Sequence, residues 1–580
     1  MKHFIRSNSK KLLTGTALLL ALAAPAIAQE NPASRPDTEA KGANLRDAAT
    51  DFPRENLSEE AQKAFDALKQ KAERGDVAAL AELGEAYVKG AGTPVDYEQA
   101  LLCYKQSAKQ GNVNGLRGLG LLYMHGYGVK KDPKKALDYM REAAEKGDAK
   151  AQYNLARLYF ATGIPADKAE GIKWLKKAAE KNYAAVQSLL GTIYWEGDGV
   201  PADKQEAVKW WTLAAEQGDT QAETALGKVY LEGKSLPKDY ERAFAYLSKA
   251  APKGNADAQK MLGICYMEGH GTNKSLFEAE KWLEKAAKQK NPEAAGLLGE
   301  IKIHQNSDSD ALKWLKFAAE NGYAPAQRHL GMSYMLGKLG LSRDRSESEK
   351  WLKKAAGAND WEAQKGLGVL YYSGRNNNAE AEKWLLKAAE QKVDAETACT
   401  LGLLYLGGVS GVPDFSKAET WLKKAVDQGL TIAYKPLAIA YMQQNNTVDA
   451  EKWFLKAAEN GDVESQGIIG MMYLSAGNLI DAEFWLKKVA EANHPEAYKP
   501  LGMICMQQGN LFDAETWLKK AAEMNDPEAQ MLLGMLYLKG ISGTPDFEQA
   551  KEWFRRAAEN GNEDARSILE QLEQAASALQ

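Results

Sequence analysis

The chain has 580 residues, 45% apolar, 26% charged and 9% aromatic, with a formal net charge of −4. That composition excludes a disordered or collagen-like polymer and leaves ample material for a buried core. Near balance between 74 basic and 78 acidic residues argues against a nucleic-acid binder, which needs a basic surplus on one face to displace counterions.

Residues 1–28 come first. Lys2, Arg6, Lys10 and Lys11 precede an apolar stretch from Leu12 to Ala24 and a small-x-small exit at Ala26-Ile27-Ala28. Together these read as a secretory signal peptide cut before Gln29, and the apolar run is too short for a spanning helix. Losing four cations and no carboxylate would take the formal charge from −4 to −8. The expectation is an exported protein, periplasmic or extracellular, that does not span a membrane after cleavage. Residues 29–57, rich in Asn, Pro, Ala and charge, read as a flexible leader. An unpaired leading helix is expected from Glu59 to Arg74.

From there to residue 562 one pattern recurs: small-x-x-Leu-Gly-x-x-Tyr, a turn, then Ala-x-x-Trp-x-x-Lys-Ala-Ala-Glu-x-Gly. Its glycine falls at 84, 120, 191, 227, 263, 299, 331, 368, 402, 470, 502 and 534, with Ala156 and Ala438 in the two remaining slots. Fourteen copies at this period mean one solenoid, so length does not translate into several globular domains. Each copy is expected to be two helices, called A and B below. Leu119, Gly120 and Tyr123 share one stripe of an A helix, since positions three and four apart stack. A glycine inside a helix costs about 1 kcal/mol against alanine, which calls for close approach of a partner helix. Ala311, Trp314, Leu315, Phe317 and Ala318 form the B stripe, which one repeat cannot bury alone.

Turns between A and B come in two lengths. Long ones carry Gly-x-Gly at 90–92, 126–128, 197–199 and 269–271. Short ones lie in the repeats holding Asn306, Asn376, Asn446, Asn478 and Asn510. Both use residues that accept left-handed backbone. After the B helix, Gly-Asp at 147–148, 218–219 and 461–462 ends one repeat and caps the next. Residues 563–580 read as a C-terminal capping helix and tail.

The long motif, fullest from Gly120 to Ala144 and from Gly191 to Ala215, resembles the Sel-one-like repeat (SLR), a relative of the tetratricopeptide repeat. The resemblance implies an all-α, α/α superhelix and an adaptor or scaffold that holds other proteins. Lys302 and Cys505 depart from its Tyr slot, and the short turns drift toward tetratricopeptide length. Some exported relatives carry a cysteine pair in every repeat and are linked to penicillin binding or β-lactam hydrolysis; those pairs are missing here.

Chemistry-bearing patterns are sparse. The Gly-x-Gly turns follow helices and recur with the period, unlike a phosphate-cradling loop. Eleven Trp at 174, 210, 282, 314, 351, 384, 421, 453, 485, 517 and 553 share one B slot and are expected in the core. Trp195, Trp211 and Trp361 fall outside it and are candidates for exposed anchors. Cys103, Cys265, Cys399 and Cys505 sit in different repeats and are expected to be buried free thiols. The six histidines form no ligand-like cluster, and no metalloprotease, nucleophile-elbow or Cys-x-x-Cys motif is present. No cofactor and no catalytic residues are expected.

The leading expectation is a scaffold that binds proteins or peptides on a concave face lined by A helices. Arg117, Tyr153, Arg157, Arg328, His329, Lys365, Tyr434, Lys435, Tyr498 and Lys499 are polar or aromatic at A-helix positions the repeat leaves variable, and are the candidate contact residues. Replacing the 434/435 and 498/499 pairs is expected to weaken partner capture without loss of stability. The rival expectation is a cell-envelope glycan-associated protein or a β-lactam-type hydrolase, with Trp195 beside Glu196 and Asp198 as the nearest local match.

Overall fold

The computed structural model describes residues 59–161, 165–374 and 377–578. The proposed signal peptide and leader, and Asn376, lie outside the described residues. Those described form thirty α-helices and three 3₁₀ turns, with no strand among them. Glu59–Glu73 leads and Glu563–Ala578 closes, and between them stand fourteen A/B pairs, from Val77–Lys89 with Tyr97–Lys109 to Pro527–Lys539 with Phe547–Glu559. The described chain falls into two compact units, 59–323 and 324–578.

Punctuation sets these helices. Asp76, Asn112, Asp219, Asp360, Asp462 and Asp526 each accept the first free N–H groups of an A helix, a cap worth about 1 kcal/mol. The preceding helix stops on left-handed backbone, at Gly75 after the leading helix and at Gly111, Gly218, Gly461, Asn359 and Asn525 after B helices. In the long turns both glycines of Gly90-Ala91-Gly92 and of Gly269-His270-Gly271 have positive φ. A Cβ on Gly128 would lie 2.8 Å from the Tyr97 carbonyl oxygen of the preceding B helix, so the second glycine admits a neighbouring repeat as well as a turn. In three short turns the left-handed residue is Asn445, Gly477 or Gly509. The asparagines that follow, at 446, 478 and 510, instead cap the B helix.

The expected close approach of A and B is present, and the structure supplies the contacting residue. In every glycine-bearing repeat the A-helix glycine faces the residue after the Trp slot: Tyr104, Met140, Trp211, Leu247, Leu283, Leu315, Leu352, Leu385, Leu422, Leu486, Leu518 or Phe554. A Cβ on Gly263 would sit 2.7 Å from Leu283 Cγ, so only glycine lets that leucine seat fully. Trp211 is therefore core, and its indole N–H donates to the Ser188 carbonyl at 3.1 Å. The slot tryptophans themselves are only partly inside. Trp174, Trp351, Trp485 and Trp553 are buried, while Trp210, Trp282, Trp314, Trp384, Trp421, Trp453 and Trp517 are half-buried. Over eight of these eleven rings lies a lysine three residues on, 4.0 Å from the centroid in Trp174–Lys177 and Trp421–Lys424 and 4.1 Å in Trp282–Lys285. The aliphatic stem shields the indole while the ammonium stays in water.

Neighbouring repeats are also joined by polar ties. A glutamine near the start of the A helix donates to a carbonyl of the preceding B helix, as in Gln187 to Ala179 (2.9 Å) and Gln466 to Ala458 (3.0 Å). Its oxygen accepts from an amide at the end of its own repeat's B helix, from Gln217 (2.6 Å), Gln289 (2.8 Å), Gln391 (2.9 Å) or Asn560 (3.0 Å). In one repeat the pair is charged instead. Lys253 Nζ lies 2.9 and 2.8 Å from the two carboxylate oxygens of Glu223, whose side chain is 2% exposed.

Candidate binding surface

The surface of interest is the A-helix face turned away from the slot glycine's contact with its B helix. Two positions define it: the residue just after the slot glycine, and the one four earlier on the same face. Cations at the earlier position reach across the repeat boundary. Arg117 pairs with Asp148 at 2.7 Å and Lys260 with Glu293 at 2.7 Å. Arg328 pairs with Asp360 at 3.3 Å and with Glu362. Lys365 holds Asp394 (2.7 Å) and Glu396 (3.1 Å), Lys435 holds Asp462 (2.9 Å) and Glu464 (3.1 Å), and Lys499 holds Asp526 (3.1 Å) and Glu528 (2.6 Å). The aspartates are caps of the next A helix, so each cation also ties down a helix start. Burial opposes the Lys365 ammonium, yet Asp394 and Glu396 hold its pKa above the ordinary lysine value. Lys499 is raised the same way by Glu528 and Asp526.

Five of the ten candidate contact residues, Arg117, Arg328, Lys365, Lys435 and Lys499, are thus inter-repeat ties. The aromatic candidates are seated as well. Tyr153 meets Tyr183 edge-on at 6.0 Å with Arg157 5.8 Å from its centroid, Tyr434 packs on Trp453 at 5.5 Å, and Tyr498 on Trp517 at 5.8 Å. His329 is half-buried on the helix that carries Arg328. Removing the 434/435 or 498/499 pairs would therefore lower stability, contrary to the expectation from sequence. Trp195 is half-buried against Trp211 at 5.3 Å with Lys204 4.2 Å over its ring, and Asp198 is held by Lys168 at 2.5 Å, so this local match offers no open sugar platform. Trp361 lies between Lys365 (5.3 Å) and Lys392 (4.5 Å).

Missed by the sequence reading is the residue after the slot glycine. Up to residue 323 it is Glu85, Leu121, Arg157, Thr192, Lys228, Ile264 and Glu300; from 324 onward it is Met332, Val369, Leu403, Ile439, Met471, Met503 and Met535. Leu403 is buried at 3%, but in the last three repeats the core does not demand an apolar residue, since Met471 is 42% and Met503 and Met535 are each 37% exposed. Aligning the repeats column by column within each half would have found it.

Comparison with protein-family profiles matches the Sel1 repeat thirteen times, over 77–112, 113–148, 149–183, 184–219, 220–255, 256–291, 298–323, 324–360, 361–393, 395–430, 439–462, 507–526 and 527–562. The chain belongs to the Sel1 repeat family. Among solved structures it is similar to a protective antigen of uropathogenic Escherichia coli strains that displays an SLR fold: 29% identity, 83% of this chain, 98% of that one and a TM-score of 0.62. A Sel1 repeat protein from Oxalobacter formigenes shares 31% identity over 48% of this chain and 96% of its own, with a TM-score of 0.33. Comparison with curated proteins finds no match.

The stretch between the matches at 439–462 and 507–526 is nonetheless an ordinary Sel1 pair, Val463–Ser475 with Leu479–Glu491, and Gly470 faces Leu486 as elsewhere. The fold is therefore a Sel1 solenoid of fourteen repeats, an architecture suited to holding proteins. The four cysteines are buried and unbridged, and burial pushes the thiols of Cys265 and Cys399 up to about 12, far from a nucleophilic thiolate. Among the described residues no group of three or more His, Cys, Asp or Glu could hold a metal ion, and no helix is long and apolar enough to cross a membrane.

Proposed function

We propose that this chain is an exported Sel1 scaffold that holds protein partners on its A-helix face. The observation that carries the reading is the run of exposed methionines after the slot glycine in the last three repeats, Met471, Met503 and Met535, at a position where Glu85, Thr192, Lys228 and Glu300 show that a polar residue serves the fold as well. Repeats fix such a row on rigid helices, so little ordering remains to be done on binding. Export rests on the basic start, apolar stretch and small-x-small exit of residues 1–28.

The test is photo-crosslinking in the native cell envelope, with a benzoylphenylalanine at Met503 on the A face or at exposed Arg555 on a B helix. Protein adducts from position 503 and few from 555 are expected. Sedimentation of the purified chain with peptidoglycan, or turnover of a chromogenic β-lactam, without A-face protein adducts would replace this reading with the glycan or hydrolase alternative.

A further inference from the structure

The row has a border, and the border carries a sign. Arg328, Lys365, Lys435 and Lys499 are each matched across the boundary by two carboxylates, so each such rung is net −1. The cations are drawn inward, Lys435 at 14% and Lys499 at 29% side-chain exposure, while the second carboxylates, Glu464 at 49% and Glu528 at 67%, face water. A partner sees a strip of methionine flanked on one side by carboxylate. Methionine adapts its unbranched, polarizable side chain to varied apolar surfaces.

We infer that the A-helix face around Met471, Met503 and Met535 binds a cationic amphipathic helix, its apolar side on the methionines and its lysines or arginines toward Glu464 and Glu528. Glu464 and Met471 lie seven residues apart on one A helix, as do Glu528 and Met535 on another, so each carboxylate shares a helix face with its methionine. An acidic amphipathic helix would set like charges against the border, and a basic segment without an apolar side would leave the methionines wet. This inference deepens the scaffold reading and rests on it.

Anisotropy with the mature full-length chain and three labelled 18-residue peptides tests it: a Leu/Lys amphipathic helix, its Leu/Glu counterpart, and a Lys/Ser peptide. The Leu/Lys helix should bind at least tenfold tighter than either control. M471S/M503S/M535S should weaken it at least tenfold while the chain keeps its helical circular dichroism and a cooperative melt, since these side chains are 37–42% exposed. E464Q/E528Q should weaken it severalfold and flatten its salt dependence, since each rung becomes neutral. A triple change at Thr192, Lys228 and Glu300 should leave binding unaltered. Equal binding of the Leu/Glu helix, or indifference to the methionine triple, would overturn the inference. If either result came with persistent protein adducts at position 503, the scaffold reading would stand without this partner class.

Discussion

The two units, 59–323 and 324–578, are built from one repeat and differ in what they put on its surface. Both seat a bulky residue against the A-helix glycine, as Leu283 on Gly263 and Leu518 on Gly502. Both pair an A-helix glutamine with an amide at the end of its B helix. They part at the A-helix face. Arg117 meets a single carboxylate across the boundary, a neutral rung, and Lys260 meets Glu293 there with Asp257 of its own helix 3.9 Å away, beside a mixed row of Glu, Leu, Arg, Thr, Lys and Ile. In the second unit the rungs carry a surplus carboxylate and the row is apolar throughout. Positions that make the fold are common to both units, and positions that distinguish them are the ones the fold leaves alone. That separation is why the face of 324–578 reads as a binding surface.

The largest effect should come from breaking what the units share. A Cβ at Gly502 would lie 2.5 Å from Leu518 Cγ, so Gly502→Leu and Gly263→Leu should each cost about 3 kcal/mol through overpacking. Urea unfolding should show equal losses, and a tolerated leucine at either site would mean that close approach is not what the glycine is for. Next in size is the charged pair of the first unit. Lys253→Ala leaves the buried Glu223 carboxylate without its partner and should cost about 2 kcal/mol, below the range for fully buried pairs because the lysine is half exposed. E223Q/K253Q recreates the amide pair of the other repeats and should lie within about 1 kcal/mol of the parent.

Much of this was legible in the sequence. The period gave the A/B pairs, Gly-Asp gave the ends and caps, and the repeated glycine announced close helix contact. Identity of the contacting residue was not legible. The conspicuous Trp hides a Leu one position on, because an amphipathic stripe tells which side of a helix is apolar but not which of two adjacent positions points at the partner's backbone. Trp211 looked misplaced for that reason, and it is the contact residue of its repeat. The candidate cations at 117, 328, 365, 435 and 499 stand at A-helix positions the repeat leaves variable, and in the structure they tie one repeat to the next. Their partners lie 27 to 34 residues away, a distance at which no local pattern signals a pair. The methionine row was invisible for the opposite reason: each methionine is unremarkable alone, and only its register with neighbours carries meaning.

Acid should separate the units more than it harms either. Carboxylates with lowered pKa among the described residues cluster in the second one. Lys353 and then Tyr371 lower Glu349, and Lys487 and Gln508 lower Glu483. For Glu419 and Glu515 burial pulls upward, and bonds from Lys423 with Gln444 and from Lys519 with Tyr537 outweigh it. Burial likewise opposes Asp394, and Lys365 outweighs it. In the first unit Glu280 is lowered by Lys302. A group whose folded pKa is depressed stabilises the fold above its unfolded value, here 4.5 for Glu and 3.8 for Asp, and that contribution fades as pH falls through the folded value. Hydrogen exchange at pH 7 and at about pH 3.5 should show residues 345–540 losing protection before those of 77–320; simultaneous loss would show that these bonds contribute nothing to the difference.

The smallest effects probe the rungs themselves. Lys435→Met leaves Asp462 and Glu464 facing each other without a cation, and should cost about 1 kcal/mol, whereas Arg117→Met leaves a single aspartate that still caps its helix and should cost about half of that. Glu464→Gln leaves the Lys435–Asp462 pair intact and should change stability by less than about 0.5 kcal/mol. The contrast matters because it separates two roles within one rung. Asp462 at 33% exposure caps a helix and anchors the lysine, while Glu464 at 49% adds a charge the fold does not need. If Glu464→Gln proves as costly as Lys435→Met, the surplus carboxylate belongs to the structure and the second unit's negative border is a by-product of holding its repeats together. If it is silent in the melt, the border is a feature of the surface alone, and the difference between the two units lies in recognition.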